Sequence, residues 1–95
     1  MNRALLLIDI QNDYFPGGKN DLYQAQRAAF KANQVLEYFR ANDIPVIHVR
    51  HVNIRPEATF FLPDTVGAEI HRSVAPQDGE AIFVKFFKTF SVFPI

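Results

Sequence analysis

Residues 5–15 read LLLIDIQNDYF, an apolar run that leads directly into the carboxylate of Asp9. Apolar residues follow one another in this run without alternating with polar ones. That pattern is typical of a strand buried on both faces of a parallel sheet. In open α/β sheets, ligands gather at the carboxyl ends of the strands, where Asp9 would lie. The stretch therefore predicts a parallel sheet, with its first strand at residues 4–9, and a first candidate site residue.

The next residues predict a helix and a second strand. The sequence PGG at residues 16–18 indicates a turn, and Asn20 or Asp21 is the expected N-cap of a helix over residues 22–41. Apolar residues recur in this helix at three- and four-residue steps and form a stripe for packing on a sheet. The stripe consists of Leu22, Ala25, Ala29, Ala32, Leu36 and Phe39. The second strand is expected at residues 46–49, parallel to the first through a right-handed crossover.

A long loop separates the second strand from the third. Residues 50–79 contain Pro56, Pro63 and Pro76 and show no sustained period, and a loop of this length is more often functional than decorative. Residues 67–70 could form a short helical turn within it. The third strand is expected at residues 81–84, beside the second, and it leads into Lys85 at the same end of the sheet as Asp9. A carboxylate beside an ammonium group stays ionised and can deprotonate a neighbouring group, although for each residue alone a capping or salt-bridging role is equally open.

Composition excludes several classes of function. The chain has 95 residues, enough for one domain, and ten basic side chains balance ten acidic ones, so no net field favours nucleic acid or an anionic membrane. It contains no cysteine, which excludes disulfides, thiolate metal sites and a thiol nucleophile within these residues. No run approaches the roughly 20 apolar residues of a membrane span. Because Asp9 interrupts the short N-terminal apolar run, a cytoplasmic location is expected.

In their order and spacing, these stretches resemble the isochorismatase-like cysteine hydrolases. The matching stretches are residues 6–15, 45–50, 67–70 with Pro76, and 84–93, which includes Ser91, Val92 and Phe93. The resemblance implies a three-layer, Rossmann-like α/β fold with a six-stranded parallel sheet in the order 3-2-1-4-5-6. Residues 1–95 would form a single partial domain, truncated to about the first three strands. The chain would end at Ile95, before the segment that carries the family's catalytic cysteine.

The resemblance also implies roles for the two charged residues. Asp9 would take the proton of the family's cysteine, and Lys85 would favour the thiolate during hydrolysis of a small amide, without a cofactor. A branch of the family cleaves an enol ether and uses the aspartate as a general acid. Because these 95 residues hold no thiol, the chain is expected to be inactive by itself.

Further candidate contacts for a small-molecule substrate are Gln11, Phe15 and His51. For two of them we favour an alternative interpretation. Gln11, with Asn12, could hold the loop after Asp9 through hydrogen bonds to the backbone. His51 could be a solvated loop histidine. Metal-binding relatives use an Asp-x-His pair after the second strand. Residues 48–53 read HVRHVN and lack it, so no metal site is predicted.

A second class of function is open as well, a non-catalytic association module. Without a fourth strand, the first strand would be an exposed edge with unpaired N–H and C=O groups. Four phenylalanines, Phe86, Phe87, Phe90 and Phe93, lie in the last ten residues and add apolar surface. The chain is therefore expected to form a homo-oligomer, or to pair with a complementary fragment, through this edge or these phenylalanines.

Overall fold

The structure, a computed structural model, describes residues 3–86. Three parallel strands form one sheet in the order β1-β2-β3. The strands are β1 (Leu5–Ile8), β2 (Val46–His51) and β3 (Ala81–Lys85). The helix α1 (Ala25–Ala41) connects β1 to β2. The predicted α/β class, the parallel pairing and the central position of the second strand are confirmed.

The loop between β2 and β3 contains two short 3-10 turns, Val66–Ala68 and Arg72–Val74, and a third such turn, Asn12–Tyr14, follows β1. The turn at Val66–Ala68 overlaps the short helical turn predicted at residues 67–70. An isolated antiparallel bridge joins Gln11 to Ile70, so the long loop folds back onto the segment after β1.

The predicted start of the helix is wrong. The helix begins at Ala25, and Gln24 precedes it with a φ of 56° and no capping hydrogen bond from its side chain. The backbone N–H of Asn20 donates to Asp13 O at 2.9 Å and that of Leu22 to Tyr14 O at 2.9 Å. These two bonds hold residues 19–22 against the segment after β1, so neither Asn20 nor Asp21 can cap the helix.

The apolar stripe of α1 packs on one face of the sheet, as predicted, except at its first residue. Ala29 and Leu36 are buried, and Leu36 joins Leu7, Val46 and Val74 in the hydrophobic core. Ala32 and Phe39 pack against that core. Leu22 lies before the helix and is exposed, so its predicted place in the stripe is wrong.

The opposite face of the sheet is open in the described part of the chain. Leu6 and Ile8 of β1 are 53% and 42% exposed, and Phe83 of β3 is 59% exposed. Ile47 and Val49 lie between them on β2 because they pair in register with Leu6 and Ile8. Within residues 3–86, α1 therefore covers one face of β1 and leaves Leu6 and Ile8 exposed on the other.

No helix within residues 3–86 combines the length and the apolar character that a membrane crossing requires.

Candidate active site

The site lies at the carboxyl end of the sheet, where β1 and β3 present opposite charges across β2. Lys85 Nζ lies 3.1 Å from Asp9 Oδ2, and the Lys85 and Asp9 side chains are 9% and 22% exposed. Lys85 is in register with His51, the last residue of β2. The predicted meeting of both charged groups at one end of the sheet is confirmed.

Asp9 has an unusual backbone and an unsatisfied carboxylate oxygen. Its φ is 60°, in the left-handed region that aspartate tolerates better than most residues. Its N–H still donates to Val49 O at 2.9 Å, as in a continuing strand. The left-handed φ then turns the chain out of the sheet. Among the described residues, Oδ1 is buried without a hydrogen-bond partner. Strained residues and buried unsatisfied acceptors both occur preferentially at functional sites.

A cavity of about 150 Å³ opens beside Asp9. Tyr14 and Phe15 form one wall, and α1 forms the other. Burial of the Tyr14 ring and the nearby negative charge of Asp9 raise the pKa of the Tyr14 phenol. The phenol is therefore a neutral hydrogen-bond donor at physiological pH.

Gln11 is fully buried and holds three segments together. Its Nε2 donates to His51 O at 2.8 Å and to Ala68 O at 2.7 Å, and its Oε1 accepts from His51 N at 2.8 Å. The side chain thus continues the pairing of β2 in the manner of a backbone peptide. Of the two interpretations for Gln11, the geometry supports the one in which it holds the loop.

Phe15 and His51 are both buried. Phe15 lines the cavity and stacks on the ring of His71, with centroids 3.7 Å apart. His51 is 3% exposed, and its ring lies 5.9 Å from that of Phe61, so the alternative of a solvated loop histidine is wrong. Substrate contact by either residue stays a prediction.

Sequence reasoning missed Asp13, whose buried carboxylate organises the loops around the site. Oδ1 accepts from Lys19 N at 3.1 Å and Oδ2 from Phe61 N at 2.7 Å. Gly67 lies so close that a Cβ there would overlap the Asp13 carboxylate. Phe61 and Gly67 follow Asp13 by 48 and 54 positions, and no local sequence pattern links residues that far apart. Only the fold shows these two contacts.

Sequence reasoning also missed a charged network at the opposite end of β3. Both Glu80 oxygens accept from the Arg40 guanidinium, at 2.7 and 2.8 Å, and His48 Nε2 lies 2.8 Å from Oε1. Gln77 N donates to the same oxygen at 3.0 Å. The hydrogen bonds from Arg40, with smaller contributions from His48 and Gln77, lower the pKa of Glu80 to about 2.

Part of the C-terminal pattern lies outside the described residues. This part contains three of the four C-terminal phenylalanines, Phe87, Phe90 and Phe93. It also contains Ser91 and Val92, which with Phe93 matched the family pattern. Phe86 is described, and it is exposed.

Comparison with known proteins gives consistent results. The isochorismatase domain matches residues 3–94. The chain is 48% identical to the uncharacterised isochorismatase family protein YddQ of Bacillus subtilis, over 94% of this chain and 52% of that protein. It is 32% identical to the secreted isochorismatase effector Isc1 of Verticillium dahliae, over 86% of this chain and 42% of that protein.

Solved structures show the same relationship. A crystal structure of a proposed isochorismatase hydrolase from Oleispira antarctica matches with a TM-score of 0.83 and 51% identity, over 87% of this chain and 46% of that one. The chain spans about half the length of the curated relatives that it matches. The strand order, the Asp9–Lys85 pair and these matches lead to one conclusion: the chain belongs to the isochorismatase family.

Proposed function

We propose that this chain supplies the aspartate–lysine part of a hydrolase site that acts on a small amide or an enol ether. The observation that carries the proposal is the 3.1 Å ion pair at the carboxyl end of the sheet. Lys85 holds Oδ2 of Asp9, while Oδ1 has no partner among the described residues. The Asp9 carboxylate is therefore the group that would accept or deliver a proton.

The proposed chemistry needs no cofactor. In amide hydrolysis, Asp9 would take the proton of a thiol, and the Lys85 ammonium would stabilise the resulting thiolate beside it. In enol-ether cleavage, a protonated Asp9 would act as the general acid. These 95 residues contain no cysteine, so the thiol route needs a thiol from outside them.

A chimera tests the proposal. Residues 1–95 are joined to the part of YddQ that lies beyond the match, and hydrolysis is measured on small amides and enol ethers that YddQ itself turns over. We expect the chimera to be active and Asp9→Ala or Lys85→Met to lower kcat by about 10²–10⁴-fold, the usual contribution of a positioned acid or base. The matched control is Asp21→Ala, which removes an exposed carboxylate outside the site.

Full activity of the Asp9→Ala chimera would overturn the proposal, as would an inactive, folded chimera beside an active YddQ. The 95-residue chain alone is expected to show no thiol-dependent hydrolysis of nicotinamide or another small amide. Turnover by the chain alone, abolished by Asp9→Ala, would contradict that expectation.

We also propose that the chain associates through its open sheet face. Leu6, Ile8 and Phe83 expose an apolar patch there, and within residues 3–86 the outer edge of β1 pairs with no other strand. Monomers rarely expose large contiguous apolar patches, and a free strand edge invites another strand. The partner is a second copy or a complementary fragment, and the setting we infer is the cytoplasm.

Sedimentation equilibrium tests the association. The purified chain should sediment as a dimer or larger assembly at micromolar concentration, and Leu6→Lys should give monomer or insoluble protein because it places a charge in the patch. Gln34→Lys, on the exposed side of α1, should change nothing. A wild-type monomer at high micromolar concentration would refute the association.

A further inference from the structure

The aromatic ring of Phe15 is held against a histidine from the loop between β2 and β3. Phe15 is buried, and its ring stacks on that of His71, with centroids 3.7 Å apart and an angle of 11° between the ring planes. The preceding residue, Tyr14, contacts other rings, those of Phe60 and Phe61. Phe15 and Tyr14 therefore depend on different parts of the loop for their orientation.

Open space adjoins the ring of Phe15 on two sides. Phe15 lines the cavity beside Asp9, and it also lines a second cavity of about 410 Å³, together with His71, Gly17 and Gly67. The two glycines have no side chains that could fill this second cavity. The ring of Phe15 therefore has room to tilt into it when His71 does not hold the ring.

Both the backbone and the side chain of His71 are fixed. Its N–H donates to Ile10 O at 2.8 Å, in the segment after β1. Its ring caps the 3-10 turn Arg72–Val74, because Nδ1 accepts from Ser73 N at 3.2 Å and lies 2.8 Å from Ser73 Oγ. Asn33 of α1 donates to Ser73 O at 2.7 Å. The histidine ring is therefore held by the turn, and the turn is held by α1.

This cap requires a neutral imidazole. Nδ1 accepts from Ser73 N through its lone pair, which places the ring proton on Nε2. Burial and, to a smaller extent, the positive charge of Arg72 lower the pKa of His71, so the ring is neutral at physiological pH. The turn after β1 presents Asp13 to the same cavity, with both carboxylate oxygens occupied by backbone N–H groups. From α1, the uncharged Asn33 reaches the turn.

We propose that His71 is a positioning residue that fixes the ring of Phe15 at the candidate site, and that it does so as the neutral tautomer that caps the turn at Ser73. Protonation would place an N–H at Nδ1 against the N–H of Ser73, so the cap would be lost and the ring would move. The role in a substrate site rests on the proposed function, because it takes Phe15 as a substrate contact.

Nuclear magnetic resonance of the full 95-residue chain tests the proposal without requiring turnover. The ring nitrogen shifts of His71 should show a proton on Nε2 at neutral pH. Between pH 8 and 5, the ring resonances of Phe15 should shift with the same midpoint as those of His71, below the ordinary histidine pKa of 6.5. Contacts between the ring protons of the two residues should be lost over the same range.

Two substitutions separate the ring of His71 from its capping nitrogen. His71→Asn keeps an acceptor for Ser73 N, since asparagine is a favoured N-cap, but removes the ring, so relaxation of the Phe15 ring carbons should show a loss of order. His71→Phe keeps a ring without the acceptor. It should restore part of that order, and its Phe15 resonances should not change between pH 8 and 5.

The matched control is Tyr38→Asn, which removes an aromatic ring that is 58% exposed on α1 and should leave Phe15 as in the wild type. A proton on Nδ1 of His71 at neutral pH would overturn the proposal, and so would a Phe15 ring that stays equally ordered in His71→Asn. A pH response of Phe15 that persists in His71→Phe would also overturn it. Where His71→Asn fails to fold, the wild-type titration decides, because Phe15 resonances that do not follow His71 contradict the proposal.

Turnover of the chimera separates this proposal from the hydrolase proposal. In an active chimera, His71→Asn should raise KM about fivefold, within the contribution of one aromatic pair, and should leave kcat nearly unchanged, as expected for a loss of uniform binding. An inactive chimera with the expected resonance changes would remove the substrate role of Phe15 and leave the positioning of its ring by His71 standing.

Discussion

The two ends of the sheet each hold a carboxylate beside a cation, and the two carboxylates differ in how well they are satisfied. Before β3, Glu80 accepts two bonds from Arg40, one from Gln77 N and a contact from His48. After β1, Asp9 has Lys85 on Oδ2, while Oδ1 has no partner among the described residues. The side chains of both pairs are largely buried, so burial does not explain the difference.

The difference separates a structural role from a functional one. A carboxylate whose two oxygens both accept hydrogen bonds from the protein contributes to stability. A buried carboxylate oxygen without a donor lowers the stability of the protein. It also keeps an acceptor that the fold itself does not use. We therefore expect the Glu80 network to dominate stability and the Asp9 pair to contribute little to it.

The largest expected effect is on the Glu80 network. Arg40→Leu removes both guanidinium bonds to Glu80 and the bond to Ala75 O and leaves a partly buried carboxylate with fewer donors. The free energy of unfolding should fall by about 3 kcal/mol, within the range for breaking a buried pair from one side. Urea unfolding measures it.

The control for Arg40 is Glu37→Gln. Glu37 also lies near Arg40, at 3.6 Å, but is 62% exposed, so its substitution should change stability by less than about 1 kcal/mol. Equal losses of unfolding free energy for Arg40→Leu and Glu37→Gln would contradict the expectation that the buried network contributes more to stability than the exposed pair.

Acid should weaken the same network. The pKa of Glu80 in the folded protein is about 2, below its ordinary value of 4.5. Its contribution is therefore fully present above pH 4.5 and is lost as the pH falls toward 2. The gap corresponds to on the order of 3 kcal/mol. Urea midpoints between pH 2 and 6 should fall more steeply for the wild type than for Glu80→Gln, and parallel curves would contradict this.

Gln11 should have a smaller effect on stability than the network. Gln11→Leu keeps the volume but leaves the N–H and C=O of His51 and the C=O of Ala68 without this partner. We expect a loss of about 2 kcal/mol, the cost of stranding buried polar groups. Asn12→Ala, which removes one exposed bond to Val66 O, should cost less than half as much in the same urea titration.

Among the buried groups, the smallest effect on stability is expected at Lys85. Lys85→Met retains an unbranched side chain and removes the charge beside Asp9. Because one contact to the Asp9 carboxylate is lost, against the two guanidinium bonds that Glu80 loses in Arg40→Leu, we expect a loss of about 1 kcal/mol, the lower end of the cost of a missing partner. Urea unfolding tests this value, and a loss as large as that of Arg40→Leu would place both ends of the sheet in the same structural role.

The strands, their parallel order and the Asp9–Lys85 meeting could be predicted because each depends on a local run of residues. Residues 5–8 and 81–84 are apolar, and each run ends at a charged residue. The register of parallel strands then brings those charges to one end of the sheet.

The start of α1 and the Glu80 network could not be predicted. The helix starts late because bonds to Asp13 O and Tyr14 O hold residues 19–22, and propensity carries no information on such tertiary contacts. Arg40 and Glu80 are 40 residues apart, and His48 and Glu80 are 32 apart. Nothing local marks these residues as neighbours.

The most direct test compares the unfolding free energies of two isosteric variants, Asp9→Asn and Glu80→Gln, by urea titration at neutral pH. Each removes one negative charge and keeps the side-chain shape. Glu80→Gln should cost about 2 kcal/mol more than Asp9→Asn, because Glu80 loses charge-assisted bonds from several donors whereas Asp9 has one free oxygen. A loss for Asp9→Asn equal to or greater than that for Glu80→Gln would contradict the assignment of Asp9 to a functional site.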